Sequence, residues 1–277
     1  MLNESRQAGS GEWDTGTHED FYKYYEQQSL KPETMERFRA ACETLLRIHG
    51  AAPQGTKLDV LDVGCGAGSQ SIFWTQGGHR YHGIDINEPL IKLAQQRATE
   101  QGLDVCFDVA SATALPNADE TIDICLLPEL LEHVADWQGC LNEAIRVLRP
   151  GGLLYINTSS KLCPKQQEFN LPLYSWYPQR LKRYYEHRAV TVRPDLANYA
   201  KYPAVNWFSF YGLRNFLGPR GFKCLDRFDL IDTTAKGWVS TLVLQIIRNL
   251  PPLRLLSHIA TPYTLMVAQK MIDRRDV

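Results

Sequence analysis

The residues best suited to chemistry surround Val60-Leu61-Asp62-Val63-Gly64-Cys65-Gly66-Ala67-Gly68, where glycines stand at alternate positions and a carboxylate precedes them by two. Glycine lets a backbone turn sharply and approach a ligand with no Cβ in the way, so this run suits a loop closed against a small molecule. A tight turn from a strand into a helix uses the same glycines for structure alone. Asp85 helps to separate the two readings, because a carboxylate about twenty residues beyond the loop is placed to accept both hydroxyl protons of a ribose.

No Gly-Lys-Ser/Thr closes the loop, which excludes a Walker phosphate site. A nicotinamide dinucleotide also fits poorly. Ser69 stands where that fingerprint places a small residue, usually Gly, and Asp62 sets a negative charge near the pyrophosphate. S-adenosylmethionine carries adenosine, an ammonium and a sulfonium but no phosphate, so an acidic residue at the strand end is compatible with it.

A second set of reactive groups lies in Leu131-Glu132-His133-Val134. An imidazole with an ordinary pKa near ~6.5 is suited to take a proton from an acceptor hydroxyl, which makes His133 the candidate base. Its plainer role is to cap the turn before Trp137. Glu129 and Glu132 are second-rank bases, or partners for a cofactor ammonium. Cys163-Pro164 does not match the order around the nucleophilic cysteine of cytosine-modifying enzymes and reads as a buried structural thiol. Leu127-Pro128-Glu129-Leu130 lacks the Asn/Asp-Pro-Pro-Tyr/Phe pattern that stacks a nucleobase for amino methylation.

The elements that must position these groups follow from the apolar pattern. The 277 residues are 44% hydrophobic and 22% charged with a formal net charge of −1, enough for a sizeable core and too neutral to concentrate a polyanion. Seven cysteines, none spaced Cys-x-x-Cys, suggest neither a disulfide framework nor a zinc knuckle, so no metal ligand set is expected and a reducing cytoplasm is. The N-terminus lacks the pattern of a signal peptide, and no apolar run approaches ~18 residues.

Residues 1–17 read as a flexible tail and 18–57 as a helical region with an amphipathic helix near 35–49. Short apolar runs at 58–63, 81–86, 105–109, 122–127 and 153–158 alternate with helical stretches, which predicts a parallel sheet covered on both faces, with the ligand site outside the carboxyl ends of the strands. Pro150-Gly151-Gly152 reads as the stop between a helix ending near Leu148 and the fifth strand. Residues 159–207, with five prolines and many aromatics, read as a substrate cap. Seven Lys or Arg between Lys161 and Arg193 face only Glu168 and Glu186, a run that is either a solvated helix face or a site for an anionic substrate. The C-terminal part, 208–277, supplies a helix, strands near 222–228 and 263–270, and an apolar helical insertion at 238–259. That insertion is expected to cover the cap, pair two subunits or rest on a membrane, with packing inside the monomer as the plainer alternative.

Taken in order, Leu61-Asp62-Val63-Gly64-Cys65-Gly66-Ala67-Gly68, Gly83-Ile84-Asp85-Ile86, Ala114-Leu115-Pro116, Ile122-Asp123-Ile124, Leu131-Glu132-His133-Val134 and Arg146-Val147-Leu148-Arg149-Pro150-Gly151-Gly152 resemble the class I S-adenosylmethionine-dependent methyltransferases. The resemblance is to the branch that includes the ubiquinone and menaquinone biosynthesis enzymes, and it covers about residues 58–158. It implies an α/β, Rossmann-like seven-stranded sheet with helices on both faces and one antiparallel strand. It also implies that Gly64, Gly66 and Gly68 shape the cofactor loop, that Asp85 holds the ribose and that Ile86 lies beside the adenine. Asp62, Ser111, Ala112 and Leu127 complete the implied cofactor set. Ser111 stands where the family commonly has Asp, so its contact with the adenine amino group is weaker unless Asp108 compensates.

The expected function is methyl transfer from S-adenosylmethionine to a small molecule, foremost a hydroxyl of a phenolic, quinone-like or sugar metabolite. Methylation at carbon or nitrogen and a non-catalytic cofactor-binding scaffold are the alternatives. RNA methylation would need the basic aromatic segment to carry it, and no nucleic-acid partner is expected.

Overall fold

The computed structural model describes residues 29–50, 57–166, 168–197, 204–234 and 236–272; the expected 1–17 tail lies outside them. Helix α1 (Pro32–His49) is followed by β1 (Asp59–Val63), α2 (Ser71–Gln76), β2 (Arg80–Asp85), α3 (Glu88–Glu100), β3 (Cys106–Val109) and β4 (Ile122–Pro128). Helix α4 (Trp137–Val147) and β5 (Leu148–Ser159) lead into the cap with its helix α5 (Gln179–Thr191). The chain closes with α6 (Phe210–Leu217), β6 (Phe222–Asp226), α7 (Arg227–Leu230), α8 (Trp238–Asn249), α9 (Pro251–Ile259) and β7 (Tyr263–Lys270).

The seven strands form one sheet in the order β3-β2-β1-β4-β5-β7-β6, and only β7 runs antiparallel, wedged between β5 and β6. The order reverses between β1 and β4, and ligands of such sheets bind beyond the strand ends at that reversal. The loop after β1 therefore stands at the switch point. Both faces are covered, which is why the strands read as continuous apolar runs with no alternation. One face packs Cys140, Leu141, Ala144 and Val147 of α4 and Leu213 and Leu217 of α6 against Leu61, Cys125, Leu127 and Ile156. The other packs Leu45 of α1, Trp74 of α2 and Ile91, Ala94 and Ala98 of α3 against Val60, Ile124 and Leu126.

Two boundaries differ from the sequence reading for physical reasons. Strand β5 begins at Leu148, because Pro150-Gly151-Gly152 forms a bulge and not a stop: Leu148 pairs with Ile122 and Leu153 with Ile124, so four residues of β5 face one of β4. A Cβ on Gly152 would lie 2.9 Å from the Arg149 carbonyl and 3.0 Å from that of Asp123, so only glycine fits this fold-back. Strand β6 ends at Asp226, where a capping box with Asp229 starts the short helix α7. The aromatic segment has its own small core, with Phe169 stacked on Tyr174 at 4.1 Å and Trp207 against both.

Asp226 is fully buried and collects the polar groups of the C-terminal insertion. It accepts hydrogen bonds from Arg254 Nε at 2.6 Å, His258 Nε2 at 2.8 Å and the Phe228 and Asp229 amides at 2.9 and 3.2 Å. Burial pushes its pKa up, but the bonds from His258 and Arg254 outweigh burial and hold the carboxyl well below the usual carboxylate range. The stabilisation is therefore present above the unfolded value of ~3.9 and is lost as pH falls toward the folded one. Asp226→Asn should cost about 3–5 kcal/mol at neutral pH, since it takes from Arg254 and His258 the buried carboxylate they share and leaves Arg254 only Asp229, and the gap to wild type should narrow in acid. Chemical denaturation at two pH values checks both points.

Candidate active site

The glycine loop leaves β1 with Gly64, Gly66 and Gly68 at φ of 78°, 53° and 67°, the left-handed region that side chains with a Cβ rarely adopt. Its shape is fixed from the neighbouring strand. Gly64 and Cys65 donate their amides to the Ile84 carbonyl at 2.7 and 3.0 Å, and Gly66 donates to Asp85 Oδ2 at 2.9 Å. Close packing excludes any larger residue, because a Cβ on Gly68 would lie 2.6 Å from the Phe107 ring and one on Gly64 3.0 Å from Leu130.

Asp85 ends β2 half-buried, with Oδ1 accepting the Asn87 amide at 2.8 Å. Burial raises its pKa, opposed by the bonds from the Asn87 and Gly66 amides. A carboxylate has about four lone-pair positions, so two remain for a ligand's hydroxyls. Ile86 follows, also half-buried. Asp62 lies beneath the loop, fully buried, where it accepts Gln70 Nε2 at 2.6 Å and the Tyr81 hydroxyl through Oδ2. Its Oδ1 has no hydrogen-bond partner among the described residues. Burial pushes the Asp62 carboxyl up to about 7, against the donation from Tyr81 and Gln70.

These observations test the chain against an adenosine-type cofactor with a cationic end. A loop with no room for Cβ atoms, a carboxylate with two open acceptor positions and a buried carboxylate oxygen lacking a donor all fit such a group. Asp62 and Leu127 are both fully buried, Asp62 beneath the loop with Oδ1 still open and Leu127 in the apolar core. Ser111 is spent on its own turn, its Oγ accepting the Thr113 amide at 3.2 Å and lying 2.9 Å from Thr113 Oγ1. Ala112 packs against the core beside it. Asp108, exposed at the end of β3, pairs through Oδ2 with His82 at 2.9 Å.

A second group of polar residues gathers beyond the end of β4. Glu129 has φ 52° and binds Arg37 of α1 at 2.8 Å, tying the N-terminal helix over this end of the sheet. Glu132 is buried, accepting Thr158 Oγ1 at 2.7 Å and the Ser159 amide at 3.2 Å, while its carbonyl takes the amides of Val205 and Asn206 at 2.8 and 3.1 Å. Those last bonds stitch the end of the cap to the loop that carries His133. Burial pushes the Glu132 carboxyl up to about 7, with His133 and Thr158 opposing. His133 is half-buried, its amide on the Leu130 carbonyl at 3.0 Å. Cys163 is buried, as a structural thiol would be. Gln70, Tyr81, Phe107, Leu130 and Arg37 carry no sequence signal of a site role; each acts through a contact made only when the strands align.

The sheet order and the glycine loop at its reversal define a Rossmann-like fold of the methyltransferase type. Residues 61–156 match the model of the family described as "Methyltransferase domain". Over 104 residues the chain is 40% identical to a ubiquinone biosynthesis O-methyltransferase of Parvibaculum lavamentivorans, covering 38% of this chain and 41% of that one. Its likeness to the enzyme of the same name from Rhizobium rhizogenes is 37% over 121 residues, 44% and 49% of the two chains. The chain thus spans less than half the length of these curated relatives. A SAM-dependent methyltransferase structure from Aquifex aeolicus superposes with TM-score 0.52 at 14% identity, over 90% of this chain and 98% of that one, a likeness of fold alone.

The raised pKa of Asp62 gives a pH dependence of definite sign. The folded protein holds this proton more tightly than the unfolded chain, whose Asp titrates near ~3.9, so Asp62 lowers stability progressively as pH rises from about 4 to about 7 and adds no further change above that. Asp62→Asn has no such ionisation. Its stability relative to wild type should therefore rise across this interval and then level off, a trend that thermal unfolding of both proteins at several pH values reads directly. A constant difference would mean that Asp62 is already ionised at pH 4.

Proposed function

We propose that this protein binds S-adenosylmethionine at the β1 loop and methylates a hydroxyl of a phenolic, quinone-like or sugar metabolite held between the ends of β4 and β5 and the cap. The observation that carries the reading is the glycine loop clasped by Asp85, whose carboxylate fixes the loop with two bonds and keeps two acceptor positions for a ribose. The cofactor, when bound, supplies an electrophilic methyl on a sulfonium.

What remains for the chain is to orient and to move one proton. Gly64, Gly66 and Gly68 give a close-fitting backbone wall, and Asp85 sets the position of the nucleoside along it. The buried carboxylate of Asp62 adds negative potential beneath a cationic ligand. The cap, joined to the His133 loop through Val205 and Asn206, excludes water and fixes the acceptor in near-attack geometry. His133 accepts the acceptor's hydroxyl proton as the oxygen becomes nucleophilic. The O-methyltransferase names of the relatives support a hydroxyl acceptor. The cap's aromatics support a small molecule over RNA, because Phe169, Tyr174 and Trp207 pack on one another and Lys182 is buried over the Trp207 ring at 4.2 Å.

Asp85→Ala should weaken S-adenosylmethionine by about 1.5–3 kcal/mol in calorimetric titration, the usual range for hydrogen bonds to a charged group, and NADH should not bind. Unchanged affinity would remove Asp85 from the site. The acceptor is found by incubating protein and cofactor with a cell extract and following metabolites that gain the mass of one methylene. With that acceptor, His133→Ala should lower turnover about 10²- to 10⁴-fold at unchanged cofactor affinity, and His133→Gln should do no better. Near-normal turnover with a lower melting temperature would instead make His133 structural.

A further inference from the structure

The hairpin of α8 and α9 is built with its charges inside and its apolar side chains outside. Its ionisable residues are Arg248, Arg254 and His258. Arg248 donates to the Phe228 and Ile231 carbonyls at 2.7 and 2.8 Å, while Arg254 and His258 close on Asp226 and Asp229. The outer face then carries Trp238, Leu242, Val243, Ile246, Leu250 and Leu256, each between 40% and 78% exposed. No residue of α8 is buried, which removes core packing as the explanation of its composition. At 3.6 residues per turn the exposed apolar positions of α8 fill an arc of about 140°, a full amphipathic face turned to the outside. The tip, Leu250-Pro251-Pro252-Leu253, is apolar as well, where a solvated turn would be polar.

The occupant of this face follows from its place and its charge. Strand β6 ends at Asp226, and β7 starts at Tyr263 opposite Ser159, so the hairpin leaves the sheet at the carboxyl ends of the parallel strands, the end that bears the glycine loop. The cap leaves the sheet at the same end, with Lys161, Arg180 and Arg183 exposed. An uncharged apolar projection accompanied by exposed cations complements anionic lipid headgroups over an acyl layer. Side-by-side pairing with a second copy would cover a flank but leave the apolar tip in water. The helices have 12 and 9 residues, far short of the ~20 needed to span a bilayer, and among the described residues no helix is long and apolar enough to cross a membrane.

We propose that the α8–α9 hairpin seats this protein on the surface of a bilayer containing anionic phospholipid, with the outer face and tip at the headgroup–acyl boundary and the basic cap against the headgroups. This names a partner for the end of the sheet that bears the glycine loop and rests on the proposed function only in taking that end as the active site. The contact itself requires no methyl transfer.

The test is flotation of the full chain with vesicles of phosphatidylcholine alone and of phosphatidylcholine with phosphatidylglycerol, beside light scattering without lipid. The chain should float with the anionic vesicles, and added salt should weaken the part that depends on phosphatidylglycerol. Leu242→Gln with Leu256→Gln should lower partitioning by at least about tenfold, while Arg180→Gln with Arg183→Gln should reduce only the phosphatidylglycerol-dependent part. Both pairs are exposed, so circular dichroism and S-adenosylmethionine affinity should match wild type; loss of cofactor binding in wild type would instead count against the proposed function and leave the lipid result standing. Wild-type protein that ignores both vesicles overturns the proposal, whatever the variants do. A stable dimer that ignores vesicles and that the leucine substitutions convert to monomer would give the face to a second copy.

Discussion

A single carboxylate at the end of β2 holds the ligand end of this molecule in shape. Three left-handed glycines in five residues would otherwise leave the loop with more conformational freedom than any other stretch of the sheet, since glycine loses most entropy on ordering. Asp85 removes that freedom by accepting the Gly66 amide on one oxygen and the Asn87 amide on the other, which links the loop after β1 to the turn after β2. The Phe107 ring fills the space left by the missing side chains of Gly68 and Gly83. The position of the loop is thus a property of three strands in register, and any slip of β3 along β2 would withdraw its support.

The buried carboxylates divide by their company. Asp226 has Arg254 and His258 and stays ionised far into acid. Asp62 and Glu132 are bonded mainly by neutral donors, and burial pushes both up to about 7. A fold that needed only cohesion would pair every buried acid with a cation, as it does under the hairpin. Asp62 near the end of β1 and Glu132 just beyond β4 have no such cation among their hydrogen-bond donors, and a cationic ligand or a transferred proton would complete them there.

Much of the fold was legible because it is written locally. Buried parallel strands appear as short apolar runs, glycines mark the loop, and Asp85 stands at the spacing that a ribose carboxylate requires. Legibility ended where geometry joins distant residues. Nothing in the chain announces that Tyr81 and Gln70 converge on Asp62, or that Arg37 reaches Glu129 across 92 positions. Pro150-Gly151-Gly152 was misread for a related reason: a bulge and a stop use the same residues, and only the pairing of Leu153 with Ile124 distinguishes them. Burial was the other blind spot, since nothing in the motifs shows that Leu127 and Asp62 are fully buried while Asp85 and Ile86 are only partly so.

The cap carries its own apolar centre, separate from the two that cover the sheet. Substitutions that reshape Phe169, Tyr174 or the face of α5 are therefore absorbed inside the cap, and the strands that place the glycine loop do not feel them. Selection can act on the two halves at different rates. The segment between β5 and α6 is thus packed so that its side chains can be exchanged without moving the strands that set the glycine loop.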